Sequence, residues 1–326
     1  MSELYPLKFR PIFKEKLWGG QKIKSILNKD FGQLSNCGET WELSGVEGNI
    51  SVVSNGSFEG KTIKRLIQER GQELLGKKVY ATYGDEFPLL VKFIDANQDL
   101  SIQVHPNDEI AKEKHACMGK TEMWYVMQAD TGASLISGFN QDMDKESYLR
   151  AFESGQLTSI LNQEKVEAGD IFFIPAGRVH TIGKGLLIAE IQQTSDITYR
   201  IYDFDRVDSH GNKRELHVEQ AIDTIDFKKY PNYKTHYERQ KNVRLPVVSC
   251  EYFKTNKLIL EKPFDATTPD LDTFRILTCV GGKGNIQYHG GSIGIRQGEV
   301  VLIPAVIDEY ELVPDQEVIL LESYID

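Results

Sequence analysis

Along most of this chain, apolar and polar residues alternate with the period of two expected of a β-strand, and the helical period surfaces only in short stretches between. Ile171 to Ile174 (IFFI) is an unbroken apolar run that Gly169-Asp170 introduces and Pro175 and Gly177 end, which predicts a buried strand with His180 just past its stop. Leu89 to Ile94 and Leu186 to Gln192 read as strands too, and Leu100 to His105 and Met118 to Gln128 alternate cleanly. Gly38 to Ser44 (GETWELS) predicts a strand, and Ile50 to Phe58 another, broken at the turn dipeptide Asn55-Gly56. Apolar positions Ile63, Leu66, Ile67, Leu74 and Leu75 have helical spacing, with Thr62 near the start and Gly76 just beyond the end, predicting a helix over 61–75. Shorter helices are expected at 21–27, from Asn107-Asp108 to about Ala116, and at 148–161, while Leu4 to Trp18, interrupted by Pro6 and Pro11, is an extended arm.

Gly169, Pro175, Gly177 and His180 stand in the order G-x5-P-x-G-x2-H, which resembles the second signature motif of the cupin barrel, the one that delivers a single metal-binding histidine. Its first part recurs: VEAGDIFFIPA at 166–176 returns as IRQGEVVLIPA at 295–305, with Gly298 and Pro304 in the places of Gly169 and Pro175. Val306 stands where Gly177 stood and Glu309 where His180 stood, so the second copy keeps the fold signal and loses the histidine. The stretch 227–242 (FKKYPNYKTHYERQKN) is charged and polar and reads as a connection. Short strand candidates at 252–254, 257–260, 274–280 and 318–321 follow, punctuated by glycine clusters at 281–284 and 290–291, as in a small all-β unit. The expected fold is mainly β with a few helices: two cupin (jelly-roll) barrels, the second degenerate and metal-free. On this reading residues 1–235 are expected to form a catalytic cupin domain with helical insertions, and 236–326 a small cupin-like β domain.

At 326 residues the chain can bury a substantial core. Its net charge of −10 argues against a nucleic-acid or anionic-membrane partner and requires any anionic ligand to be met by a local cluster of Lys and Arg. No apolar run approaches a membrane span and the first residues lack a signal-peptide core, so a cytoplasmic location is expected. The four cysteines, Cys37, Cys117, Cys250 and Cys279, are scattered without a C-x-x-C and predict neither a disulfide framework nor a thiolate zinc site.

The chemistry sits on the polar faces of otherwise apolar strands. Alternation puts Ser101, Gln103 and His105 on one face, Lys120, Glu122 and Trp124 on another, and Glu190 with Gln192 on a third. Such faces need partners or a ligand. Gln103, His105, Glu122 and His180 together offer two imidazoles, a carboxylate and an amide oxygen, an N/O set that suits Zn²⁺ and also Mn²⁺, Fe²⁺ or Co²⁺. Singly, each has an ordinary structural explanation as a satisfied core histidine or a solvated glutamate. His115, His210, His217, His236 and His289 fall in no spaced pattern.

SIQVHPND at 101–108, KTEMWY at 120–125, PAGRVHTIG at 175–183, the Arg200 segment and the span from Phe9-Arg10-Pro11 to Leu17-Trp18-Gly19 resemble the type I phosphomannose isomerases, in their short bacterial form. The resemblance implies a zinc enzyme, one ion per chain, interconverting mannose 6-phosphate and fructose 6-phosphate, with metal ligands Gln103, His105, Glu122 and His180 and a catalytic Arg200. The reaction moves a proton between C2 and C1 through an enediolate, which a Lewis acid and a guanidinium would stabilise. Lys120 and Glu190 are both candidates for the proton shuttle. Lys120 could instead bind substrate oxygens or form a salt bridge with Glu122, Glu190 could support a ligand histidine, and Arg200 could pair with Asp203 or Asp205. Ser101, Lys92 and Arg200 are the candidates for holding phosphate, although a strand lysine such as Lys92 often reaches to solvent instead. Trp18 and Trp124 either line the sugar pocket or fill the core. The oligomeric state is open, and a monomer is compatible. Two rival readings remain, an Fe(II) cupin dioxygenase and a sugar-binding cupin without turnover.

Overall fold

The structure, a computed structural model, describes residues 3–208 and 210–326. In chain order the strands of the first part are β1 (Ile12–Lys14), β2 (Glu39–Leu43), β3 (Leu89–Ala96), β4 (Ile102–Val104), β5 (Glu122–Ala129), β6 (Ser134–Phe139), β7 (Leu161–Lys165), β8 (Ile171–Ile174), β9 (His180–Ile182), β10 (Leu186–Gln193) and β11 (Tyr199–Tyr202). Then follow β12 (Leu245–Ser249), β13 (Lys254–Leu260), β14 (Phe264–Asp265), β15 (Arg275–Tyr288), β16 (Gly291–Arg296), β17 (Val300–Ile303) and β18 (Tyr310–Tyr324). The helices are α1 (Lys22–Ser25), α2 (Ile63–Leu75), α3 (Lys77–Tyr83), α4 (Asp108–His115), α5 (Lys145–Glu153) and α6 (Val218–Ile222). The architecture is mainly β, as the alternation predicts.

A six-stranded antiparallel sheet in the order β1-β2-β3-β10-β5-β8 faces a five-stranded one in the order β11-β4-β9-β6-β7. The central strands of the first sheet are covered on both faces. Leu89, Val91 and Phe93 of β3, Met123 and Tyr125 of β5, and Leu187, Ala189 and Ile191 of β10 join the large core that contains α2 and α3. Their alternate neighbours Ile94, Trp124, Val126, Leu186 and Ile188 face the inside of the sandwich with Trp18, Leu100, Ile174 and Ile182. This double burial is why β10 shows no exposed residue along its length. In β2 the register shifts between Trp41 and Leu43, so that Leu43 joins the outer core while Trp41 faces inward.

The seven-stranded third sheet holds β12 to β18, with the long β15 and β18 at its centre. Leu258, Leu277, Ile286, Ile295, Val301 and Leu320 fill its interior. Its outer side is continuous with the large core through Phe253, Phe274, Ile276 and Leu302, and the arm closes onto it where Leu7 pairs with Leu302. Both glycines of the internal repeat take the left-handed backbone that only glycine adopts without strain, Gly169 at φ +97° and Gly298 at φ +85°, each just before its strand, β8 or β17.

Some expectations need correction. Residues 50–58 form no strand, because Gly56 turns at φ +64° into a 3₁₀ turn over Gly56–Phe58 and the segment keeps only single bridges from Val52 and Val53. The helix expected at 148–161 is α5, shifted forward and capped by Asp144, and Gly155 at φ +72° separates it from a 3₁₀ turn over Leu157–Ile160. The caps Thr62 and Asn107 lie where expected, accepting from the backbone N–H groups of Arg65 and Ile110.

Candidate functional site

Cross-strand register assembles the site as two rows. On the six-stranded sheet Trp41 pairs with Lys92, Lys92 with Glu190 and Glu190 with Trp124, so four strands place those side chains next to one another. On the five-stranded sheet Arg200 pairs with Gln103, Gln103 with His180 and His180 with Ser137. Between the rows lies a cavity of about 160 Å³ lined by both. β8 stops at Ile174 as expected, and after the loop 175–179 His180 opens a further strand, β9, which brings it beside Gln103.

The loop that delivers His180 is held from several sides. Gly177, at φ +86°, donates its N–H to the His105 carbonyl at 2.9 Å, tying the loop to the other histidine. The Arg178 guanidinium stacks over Tyr230 and Tyr233 at 4.5 and 4.8 Å, and the Tyr237 hydroxyl donates to the Gly169 carbonyl. The polar connection read at 227–242 therefore braces the metal-site motif.

His105, Glu122 and His180 are buried, and their ligand atoms lie within 4.8 Å of one another. His105 Nδ1 lies 2.9 Å from the Ile197 carbonyl and His180 Nδ1 2.8 Å from the Arg178 carbonyl. Each contact fixes the proton on Nδ1 and leaves the Nε2 lone pair free, as a metal-ligating imidazole requires. Burial, helped by the Lys120 cation, pushes His105 down to about 3, and burial lowers His180 as well, so both rings are neutral. Burial acts to raise the Glu122 carboxyl, but the Lys120 ammonium 3.0 Å away and the contacts with His105 and His180 together outweigh it and hold the group well below the usual carboxylate range. Glu122 Oε1 is buried and accepts no hydrogen bond, although Lys120 Nζ and His105 Nε2 (3.2 Å) are close. Two free imidazole lone pairs and an orphaned carboxylate oxygen make a donor set that fits a divalent cation. Gln103 presents Nε2 to the histidines, 3.3 Å from His180 Nε2 and 3.5 Å from His105 Nε2, while its Oε1 accepts from Ser101 at 3.3 Å. A flip of the amide turns the oxygen to the centre and gives Ser101 an N–H to accept, so the same side chain can serve as ligand.

Lys120 Nζ also lies 3.2 Å from His105 Nε2. Glu190 Oε2 accepts from Trp124 Nε1 at 2.8 Å, and its Oε1 is 3.1 Å from Lys92 Nζ; burial and the Glu122 charge push its carboxyl up. Among the described residues no hydrogen bond joins it to a histidine, so it does not orient a ligand ring in the way the sequence allowed. Lys92 is buried, contrary to a lysine reaching for solvent, and donates to Gln192 at 2.6 Å. Arg200 donates to the Glu215 carbonyl at 2.8 Å and has no ion pair among the described residues, because Asp203 is taken by Arg206 and Arg214 and Asp205 by Lys213. Lys92, Ser101, Gln103, Lys120, Glu190 and Arg200 thus line one cavity, and His105, Glu122 and His180 form the triad beside it.

Sequence reasoning missed Lys16, Glu39, Trp41, Asp196, Thr198 and Arg214, which line the same cavity. Alternation in GETWELS puts Glu39 and Trp41 on one face, a signal that was present. Burial acts to raise Glu39, but Lys16 and Lys92 together hold it at about 2. The lining carries the cations Lys16, Lys92, Lys120, Arg200 and Arg214 against the anions Glu39, Glu190 and Asp196, a local positive excess in an acidic protein.

The model of the family "Phosphomannose isomerase type I, catalytic domain" matches residues 6–130, and that of "Mannose-6-phosphate isomerase, cupin domain" matches 244–323. The mannose-6-phosphate isomerase ManA of Bacillus subtilis is 37% identical over 313 residues, 94% of this chain and 95% of that protein. The mannose-6-phosphate isomerase of Streptococcus mutans is 35% identical, covering 98% of both. Among solved structures, a mannose 6-phosphate isomerase from Bacillus subtilis superimposes with a TM-score of 0.88 at 32% identity, covering 98% of this chain and 99% of that one.

Proposed function

This chain belongs to the type I phosphomannose isomerase family, and we propose that it interconverts mannose 6-phosphate and fructose 6-phosphate. The observation that carries this reading is the meeting of a buried His-Glu-His triad with Lys120, Glu190 and Arg200, which has no ion pair among the described residues, around one cavity.

We assign one Zn²⁺ per chain to His105, Glu122 and His180, with Gln103 as fourth ligand through its flipped amide. The all-N/O donor set without thiolate supports this choice. A Lewis-acidic cation bound there stabilises negative charge developing on the sugar oxygens. Arg200, held by the Glu215 carbonyl and by the backbone N–H of its own residue donating to His217 Nδ1 at 3.2 Å, adds a fixed positive charge beside the enediolate. Lys120 and Glu190 are the two groups placed to carry the proton between C2 and C1. Trp124 donates to both Glu122 (3.1 Å) and Glu190 and keeps the two carboxylates apart in register. Ser101 and Lys92 complete the substrate-contacting wall. The chemistry belongs to residues 1–235, and 236–326 support them. No helix among the described residues is long and apolar enough to cross a membrane, which accords with the cytoplasmic site of action proposed here.

Zinc-loaded protein in a coupled assay is expected to convert mannose 6-phosphate to fructose 6-phosphate. No turnover with metal confirmed bound would overturn the reading. Solvent deuterium exchange identifies the base: of Lys120→Ala and Glu190→Gln, the variant that binds substrate but no longer exchanges the C2 proton has lost it. The dioxygenase alternative predicts dependence on iron and O₂ and leaves Lys120 and Arg200 without a task.

A further inference from the structure

Of the five cations lining the cavity, the three lysines each have a carboxylate of their own, Arg214 shares one with Arg206, and Arg200 has none among the described residues. Lys16 lies 3.1 Å from Glu39, Lys92 3.1 Å from Glu190 and Lys120 3.0 Å from Glu122. The excess charge gathers at the other end, where the chain leaves β11 and turns back so that Val207 bridges to Lys213. There the single carboxylate of Asp203, buried, serves two guanidiniums. Arg214 donates to it through Nε at 2.7 Å and through Nη2, and Arg206 through Nη2 at 2.5 Å. Arg206 is spent, because its Nη1 also donates to the Asp99 carbonyl at 2.5 Å and it does not line the cavity. Arg200 and Arg214 do line it. The Nε of Arg200 is buried with no hydrogen-bond partner among the described residues, an orphaned donor at a cavity wall. Burial and then the charges of Arg214 and Arg206 depress the Arg200 guanidinium, as expected where positive charge is under-compensated.

We propose that Arg214 and the orphaned Nε edge of Arg200 form the anchor for the phosphate of the substrate, with Asp203 holding Arg214 in position as an internal competitor for the same guanidinium. The inference rests on the sugar-phosphate reading above. A phosphate monoester, close to dianionic at neutral pH, matches two guanidiniums in charge and offers the acceptor oxygens that the unpartnered Nε lacks. The lysine sites are poorer matches, since each ammonium has its own carboxylate at 3.0 to 3.1 Å, whereas at the arginine end the one carboxylate of Asp203 is shared between Arg214 and Arg206 and Arg200 has no ion pair among the described residues. The arrangement makes Arg214 a specificity-determining residue: it selects phosphorylated over free sugars and takes no part in proton transfer.

The test uses zinc-loaded full-length protein with inorganic phosphate as the probe, by calorimetric titration and as a competitive inhibitor. For Arg214→Ala, the dissociation constant for phosphate and the KM for mannose 6-phosphate are expected to rise together by about 10- to 100-fold, with kcat within about threefold and Arg214→Lys recovering part of the loss. Unchanged phosphate affinity, or a loss confined to kcat, overturns the anchor. Asp203→Asn provides an independent arm should Arg214→Ala fold poorly: neutralising the competitor is expected to tighten phosphate binding severalfold, and unchanged or weaker binding contradicts the proposal. Because calorimetry reads phosphate without turnover, a wild-type protein that binds phosphate but does not isomerise the sugar would sink the isomerase reading alone.

Discussion

The two copies of the internal repeat share a backbone and divide in chemistry. Gly169 and Gly298 both turn in the left-handed region, β8 and β17 both follow as buried apolar strands, and Pro175 and Pro304 both end them. Beyond the proline they part. Gly177 at φ +86° reaches back to the His105 carbonyl and leads to buried His180, whereas Val306 is 56% exposed and leads to exposed Glu309. The interiors differ in the same way. The first sandwich carries rows of inward polar groups at the cavity, while the third sheet encloses Leu258, Leu277, Val301 and Leu320, and among its buried charges Glu322 is satisfied by Arg244 (2.7 Å) and Asn256 (2.9 Å), Arg275 donates to backbone carbonyls and Lys257 to the Tyr237 hydroxyl. The repeated signature therefore encodes a turn and a strand. Function depends on which side chains the adjoining strands turn inward.

The comparison can be broken most forcefully at Glu122. Removing the carboxylate leaves two neutral imidazoles and the Lys120 ammonium, so Glu122→Ala is expected to lower turnover by about 10³-fold or more. Metal content measured alongside the coupled assay checks it, and near-normal activity would refute the ligand assignment. The shared turn gives the next effect, and its order is informative. A methyl group at Gly298 would meet Leu27 Cβ at 2.9 Å, whereas at Gly169 it would meet the flexible end of Arg239 at 3.0 Å. Thermal unfolding should show Gly298→Ala costing about 2–4 kcal/mol and Gly169→Ala about 1–2 kcal/mol. The copy without the histidine is thus predicted to be the more demanding structurally, and equal costs would contradict this.

Acid unfolding sharpens the contrast between the polar and apolar interiors. Glu39 titrates near 2 in the fold, below its usual value of 4.5, so its stabilisation is complete above about 4.5 and is lost as pH falls toward 2. Glu39→Gln should flatten the pH dependence of unfolding free energy across that window by about 2–3 kcal/mol. An unchanged slope would mean that Lys16 and Lys92 do not hold the carboxylate. The smallest effect belongs to the lost ligand position: Glu309→Ala should leave turnover within about twofold and stability within about 0.5 kcal/mol.

Strand runs such as IFFI were legible because a buried strand needs an uninterrupted apolar stretch and its ends need Gly or Pro. The candidate ligands were legible because a Gln, His or Glu on an otherwise apolar strand is costly without a partner. The rows were not legible, since Lys92 meets Trp41 and Glu190, and Gln103 meets His180, through pairings between distant segments whose register no local pattern states. Arg214 escaped notice for the same reason: its place at the cavity comes from the chain's return to Asp203 after β11. Helix α3 was missed because Val79 is its one buried residue, too little for a periodic signal.

The most direct test is to strip the protein of metal and titrate Zn²⁺ back while following isomerisation of mannose 6-phosphate. Activity should climb linearly and level off at one equivalent per chain, and Glu122→Ala should neither retain the ion nor turn over. A protein that holds one zinc per chain and leaves the sugar phosphate unchanged would contradict the assignment of this site.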